Sequence, residues 1–258
     1  MAQTDAGKPH SLIRAERLFA VLLALALWQL GAMFLGNSLL LVTPVQVAVR
    51  LFELLQEPDF YAVTGFSFVR IVSGFLLGFV SGTLLAMLAG RWHWVEVLLW
   101  PYITVIKTTP VASFIILCLI WLDSSNLSVF IAFLMVLPIV YSNMLEGIKA
   151  ADGKLIEMAK LFHVSYGQRL LYVYLPQIKP YLLSACSIGL GLSWKAGIAA
   201  EVIGIPDGSI GERLYEAKVY LSSADLFAWT VVVILISVLF EKLVMLLLKK
   251  SYQRLERS

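Results

Sequence analysis

Few residues in this chain could carry chemistry, and their arrangement argues against catalysis. His10, His93 and His163 stand far apart, Cys118 and Cys186 each sit inside an apolar run, and no grouping completes a metal site or an activated nucleophile. The pattern G-x-x-x-x-G-K followed by Ser or Thr does not occur, so the chain lacks the glycine-rich loop whose amides cradle ATP phosphates. The expectation is a non-catalytic chain with no cofactor or metal of its own. What remains is a set of charges embedded in apolar sequence: Lys195, with Trp194 beside it, Glu201, and, nearer the ends of apolar runs, Arg70 and Lys107. A charge at a bilayer centre costs about 2.5–3.5 kcal/mol on insertion scales, so it needs a partner or a wet cavity. On one helix Lys195 and Glu201 differ by about 240° and roughly 9 Å, which is poor geometry for pairing with each other. Trp194, Lys195 and Glu201 therefore read as candidates for a polar path through the membrane, with structural pairing near the membrane edge as the other reading. At span ends Arg70 and Lys107 are expected to snorkel.

The elements that must position these charges are membrane helices. The 258 residues are 60% hydrophobic and 14% charged, with a mean hydropathy of +0.85, whereas soluble domains are closer to half apolar and a quarter charged. Six apolar segments, about 18–34, 71–90, 97–122, 124–145, 180–205 and 226–248, approach or exceed the roughly 20 residues that cross a bilayer. The third is broken by Lys107 and Pro110, which predicts either a bent span or a short amphipathic helix followed by a short span. Counting Lys and Arg by side of the membrane gives thirteen in one set of loops (Lys8, Arg14, Arg17, Arg91, Lys149, Lys154, Lys160, Arg169, Lys179, Lys249, Lys250, Arg254, Arg257) against three in the other (Arg50, Arg213, Lys218). Basic residues concentrate on the cytoplasmic side, so both termini are expected to be cytoplasmic. If 97–122 did not cross, the basic loop and the basic tail would face outward, so the census also supports that span.

The expected fold is thus an all-α membrane protein with six transmembrane helices. A cytoplasmic segment (1–17), polar and disordered at its start, precedes a six-span domain (18–248), and a basic cytoplasmic tail (249–258) follows. Residues 43–57 read as an amphipathic helix on the outer surface, with Val45, Val49, Phe52 and Leu55 on one face. Gly74, Gly78 and Gly82, and likewise Ser187 and Gly191, are spaced to let another helix approach closely. A net charge of +3 with no aromatic-basic patch gives no reason to expect nucleic acid.

The cytoplasmic loop 148–179 is too polar to cross and too patterned to be a passive linker. Leu155, Met158, Ala159 and Phe162 fall at i, i+3, i+4 and i+7 and make one apolar face that needs a partner surface. Asp152 can cap this helix, His163 and Val164 read as a turn, and Ser165 with Gln168 forms a capping-box pattern for a second helix that runs out at Leu175 and Pro176. Two short helices leading into a span would make a lever.

Glu157-Met158-Ala159, then His163, then Val173-Tyr174-Leu175-Pro176 resembles the EAA loop of binding-protein-dependent ABC importer permeases, whose pattern is E-A-A, three residues, G, nine residues, I-x-L-P. Glu157, Ala159, Leu175 and Pro176 match at that spacing, while Met158, His163 and Val173 replace Ala, Gly and Ile. Histidine enters left-handed backbone conformations more readily than most residues, so the turn can survive there. Arg70 to Gly74, Thr109-Pro110, Trp194-Lys195 and Ala199 to Gly204 look like the nitrate, sulfonate and taurine branch of these permeases. The resemblance implies a type I importer permease fold in the plasma (cell inner) membrane. It implies two cytoplasmic ATPase subunits that bind ATP, a second permease subunit, usually identical, and an extracytoplasmic solute-binding protein. By the same resemblance the ATPase contacts would be Glu157, Met158, Ala159, Lys160, Phe162 and His163. The competing reading is an ion-coupled secondary transporter or channel without ATPases, favoured by Lys195 and Glu201 and disfavoured by the missing inverted repeat.

Overall fold

The computed structural model describes residues 10–36 and 41–255, and among these every regular element is helical. The expected disorder of residues 1–9 and the last basic residue, Arg257, lie outside the described residues. In chain order the helices are α1 (His10–Leu35), α2 (Pro44–Leu54), α3 (Phe60–Arg91), α4 (His93–Thr108), α5 (Val111–Cys118), α6 (Ser124–Lys149), α7 (Gly153–Leu161), α8 (Tyr166–Arg169), α9 (Leu175–Gly204), α10 (Ile210–Val219) and α11 (Ser223–Leu255). Five of them, α1, α3, α6, α9 and α11, are long and apolar enough to cross a membrane alone.

The sixth candidate is the broken pair α4 and α5. Helices α4 and α5 meet at a bend of 102° at Thr109 and Pro110, where proline cannot supply the amide that would continue the ladder. The Thr109 N–H (3.0 Å) and its Oγ1 (2.7 Å) both donate to the Val105 carbonyl, the last bonds of α4 before the break. The pair nevertheless runs the full length of α6. Its start is tied to the far end of α6 by Glu96 and Lys149, while Ile115 and Leu119 pack with Leu127 near the opposite end. The expected break at Lys107 and Pro110 is present, as a bend between two helices.

Helix α6 is the axis of the bundle, wedged between α3 and α9. Gly74, Gly78 and Gly82 line the face of α3 that meets it, and a Cβ added at Gly74 would lie only 2.4 Å from the Val129 carbonyl oxygen. Lipid is as apolar as a leucine side chain, so membrane helices gain from close backbone approach, and these glycines permit it. Gly191 is different: a Cβ there would meet nothing within 4 Å, and Ser187 instead donates to Glu241 Oε1 of α11 (2.7 Å). The expected small-residue contact in the fifth span is not made among the described residues. Phe75, Val136, Val140 and Leu190 fill the space where α3, α6 and α9 converge.

Helix α2 begins as a capping box. Gln46 N–H donates to Thr43 Oγ1 (3.3 Å), Thr43 N–H donates to Gln46 Oε1 (3.1 Å), and Pro44 occupies the first turn. The side it buries is Val47 and Leu54, with Leu51 between them. The stripe of Val45, Val49, Phe52 and Leu55 is the open side. Arg50, on the side of Val47 and Leu54, reaches across to Asp225 at the start of α11.

Candidate coupling arm and buried charges

Between α6 and α9 the chain folds into an arm. Lys149, in the last turn of α6, donates to Glu96 Oε1 of α4 (2.5 Å) and fixes the point of departure. Asp152 accepts from the Lys154 N–H (2.8 Å) and starts α7. The helix stops just before His163, whose φ is 54°, and Val164 N–H donates back to the Ala159 carbonyl (3.0 Å). That is the left-handed helix ending in which glycine is the usual residue. Gln168 N–H then donates to Ser165 Oγ (3.4 Å) and Ser165 N–H to Gln168 Oε1 (3.3 Å), closing the expected capping box.

The expected stop at Leu175 and Pro176 is absent. Helix α8 passes through a π-helical turn, Leu170–Tyr174, directly into α9, so α8 and the span form one continuous helix. Pro176 lies in the first turn of α9, and the wider π turn before it, bonded from i to i+5, absorbs the missing donor. Gln177 secures the junction: its Nε2 donates to the Val173 carbonyl (2.8 Å) and its Oε1 accepts from the Asp152 N–H (2.6 Å). The arm is thereby closed at its base. Sequence reasoning missed Gln177; the available signal was a long amide side chain next to a proline that removes a backbone donor.

The six expected contact residues do not share one face. Met158, Phe162 and His163 are exposed with Glu157, Phe162 at 74%. Ala159 is turned inward and only 6% exposed. Lys160 belongs to α7, but its side chain lies outside the described residues. Leu155 and Leu161 are also uncovered, Leu161 at 80%. The apolar tip is therefore Leu155, Met158, Leu161 and Phe162, with Ala159 holding the helix to its own chain.

Within the bundle, Trp194, Lys195 and Glu201 are separated. Trp194 is buried against Phe68 of α3 (ring centroids 6.0 Å), whereas Lys195 is exposed on another side of α9. Glu201 is wholly buried and joins three helices: Ser67 Oγ of α3 donates to Glu201 Oε2 (2.7 Å), Ile210 N–H of α10 donates to Ser67 Oγ (2.9 Å), and Gly211 N–H donates to Glu201 Oε2 (3.3 Å). A carboxylate at a helix N-terminus meets free amides and a favourable dipole. Ser67 escaped the sequence reading because Arg70 cut the apolar window short, whereas α3 starts at Phe60. Arg70 itself lies over the Phe66 ring (3.7 Å). Lys107 does more than snorkel, since its Nζ donates to Ser142 Oγ of α6 (2.6 Å).

At the end of the bundle where α2, α10 and the start of α11 meet, two bases hold acids from separate segments. Arg50 pairs with Asp225, Glu57 and Glu53, and Arg213 with Glu216 and Asp59. Burial works against the Arg50 charge, but the hydrogen bonds to Asp225 and Glu53 outweigh it and hold the guanidinium above its ordinary pKa.

Comparison with known proteins places this geometry. The family model described as binding-protein-dependent transport system inner membrane component matches residues 74–257. A Bacillus subtilis permease named for aliphatic sulfonate transport is 28% identical over 229 residues, covering 88% of this chain and 82% of its own. The taurine transport system permease of Escherichia coli is 27% identical over 83% of this chain and 80% of its own. A nitrate import permease of Synechococcus elongatus is 27% identical over 75% and 72%.

Proposed function

This chain belongs to the binding-protein-dependent transport system inner membrane components, in the nitrate, sulfonate and taurine branch of ABC importer permeases, and on that premise we propose that the arm couples it to partner ATPases. The chain is a multi-pass membrane subunit, non-catalytic itself. The observation that carries the reading is the apolar tip of α7 and Phe162, left uncovered and joined through the His163 turn to α8, which continues without a break into α9. Burying one such aromatic in a groove is worth on the order of 2–3 kcal/mol, enough to make it an anchor. Glu157 stands on the same exposed helix and supplies a charged contact at its rim.

In this mechanism two ATPase subunits close on ATP and displace the tip. Because Gln177 closes the base of the arm and the π turn joins it to α9, the displacement reaches α9 as a rigid movement. Helix α9 packs on α6, which is locked to α3 by the glycine contacts, so the bundle rocks between inward and outward access. A second permease subunit completes the path in the plasma membrane. Both termini and the arm are cytoplasmic, which puts the Arg50 and Arg213 acid network outside, where a solute-binding protein delivers cargo. The cargoes in the relatives' names, aliphatic sulfonates, nitrate and taurine, define the first uptake panel.

The test is Glu157→Lys, with Phe162→Ala beside it, in cells expressing the whole transporter. Both variants should insert normally yet lose ATPase co-purification and uptake. Normal complex yield and uptake in both would remove the coupling assignment.

A further inference from the structure

Helix α10 ends in an uncovered apolar turn. Val219, Tyr220 and Leu221 follow one another there and are 56%, 79% and 67% exposed. The backbone of the turn is nevertheless well bonded: Tyr220 N–H donates to the Glu216 carbonyl (2.8 Å), Leu221 N–H to the Lys218 carbonyl (3.2 Å) and Ser222 N–H to the Ala217 carbonyl (2.8 Å). This is a Schellman ending, whose left-handed position glycine usually holds. Here the residue is Leu221, at φ 55°. A branched side chain is strained in that conformation, and no burial offsets the strain. Of the non-glycine residues at positive φ among those described, Ile205 is partly covered, whereas His163 and Leu221 are exposed and each adjoins uncovered apolar side chains. The turn also stands in water, because Tyr220 lines a cleft of roughly 150 Å³ with Arg50, Glu57, Arg213 and Asp225, and such a group of charges does not face hydrocarbon. Around the cleft five acids, Glu53, Glu57, Asp59, Glu216 and Asp225, gather on the two arginines. Even with Lys218 in the last turn of α10 added to the arginines, the rim is net acidic.

We propose that Tyr220 and Leu221 anchor a soluble partner protein, one that offers an apolar depression rimmed by basic residues. A second copy of this chain docking by two-fold symmetry would set the acidic rim against itself, so the complement is a different protein. That this protein is the solute-binding partner rests on the permease reading above. Tyrosine is among the residues that most often dominate an interface, and its hydroxyl stays satisfied at a wet rim. The other end of α10 is held against α3 and α9 by Ser67 and Glu201. Docking on the turn therefore bears on α9, the helix that α8 enters at its far end.

The whole transporter in nanodiscs, with its cognate solute-binding protein as the probe, tests the surface. Tyr220→Ala should weaken binding about tenfold to a hundredfold, the range of an aromatic anchor. Leu221→Gly separates docking from folding: it relieves the backbone, so thermal stability should hold or rise, while binding should weaken about tenfold. Raising salt from about 50 to about 500 mM should slow association, because the rims attract. If wild type binds and both variants bind equally well, the docking turn is overturned and the permease reading stands. If wild type binds no solute-binding protein, both are overturned. Two further results would assign the turn to another occupant and equally overturn the proposal. One is loss of permease dimers in the variants with unchanged affinity for the binding protein. The other is quenching by brominated lipid of a bimane label on Leu221→Cys, a selective label because Cys118 and Cys186 are buried.

Discussion

The Ser67 hydroxyl gives the sharpest test of how α10 is held. It donates to Glu201 Oε2 at 2.7 Å and accepts from Ile210 N–H at 2.9 Å, and Ser67, Glu201 and Ile210 are all fully buried. Ser67→Ala removes almost no volume, so the effect is one of hydrogen bonding. Hydrogen bonds between membrane helices average about 0.6 kcal/mol, because the unfolded chain in lipid finds other partners. Here one acceptor is a carboxylate, and the orphaned N–H belongs to the fully buried Ile210, conditions worth about 1–3 kcal/mol each. The expected loss is about 2–4 kcal/mol, and it should fall on α10, since Glu201 keeps the longer bond from Gly211 (3.3 Å) while Ile210 N–H loses its acceptor. Hydrogen exchange in nanodiscs should show amides 205–219 opening by about two orders of magnitude more often. Glu201→Gln retains an acceptor for both donors and should lose less, about 1 kcal/mol. The control is Ser73→Ala, whose hydroxyl bonds only the Val69 carbonyl of its own helix (2.6 Å). If Ser67→Ala matched Ser73→Ala in exchange and in unfolding, the three-helix node would have no energetic meaning.

Gly74→Ala should destabilise the α3–α6 contact by about 1–3 kcal/mol, because the new methyl meets backbone at 2.4 Å and the helices must separate. Gly191→Ala should leave the unfolding of the isolated chain unchanged, and steric-trap unfolding of the two variants compares them directly. His163→Gly should stabilise the arm by about 1 kcal/mol through relief of the left-handed backbone, and His163→Val should do the reverse, read as protease resistance of 150–180. Gln177→Leu should free the base of the arm and raise amide exchange at Asp152, with uptake falling more than ATPase binding because the tip is untouched.

Much of the fold was legible because the bilayer restricts the alternatives. An apolar run of sufficient length has little choice but to be a helix. The Asp152 cap, the His163 turn and the Ser165–Gln168 box were readable for a similar reason: each is a local pattern whose partners lie within a few residues. What sequence could not show was direction around a helix. Ala159 shares the periodicity of Met158 and Phe162 but faces the chain, and α2 buries Val47 and Leu54 on the side where Arg50 meets a distant aspartate, Asp225. The Glu201 node was hidden for the same reason, since Ser67, Glu201 and Gly211 meet only in three dimensions. Pro176 misled in another way: proline forbids one hydrogen bond, and a π turn accommodates that without ending the helix.

The π turn at Leu170–Tyr174 also sets how much length the arm tolerates. A π turn stores one surplus residue in an otherwise α-helical rod. Removing a residue from it converts the bulge to ordinary α-helix and leaves Phe162 in its angular phase relative to α9. Removing one a turn later, within α9, has no surplus to draw on, and everything on the arm side rotates by about 100° against the bundle. The aim of the arm is therefore written in residue count, and its tolerance for error is confined to five positions.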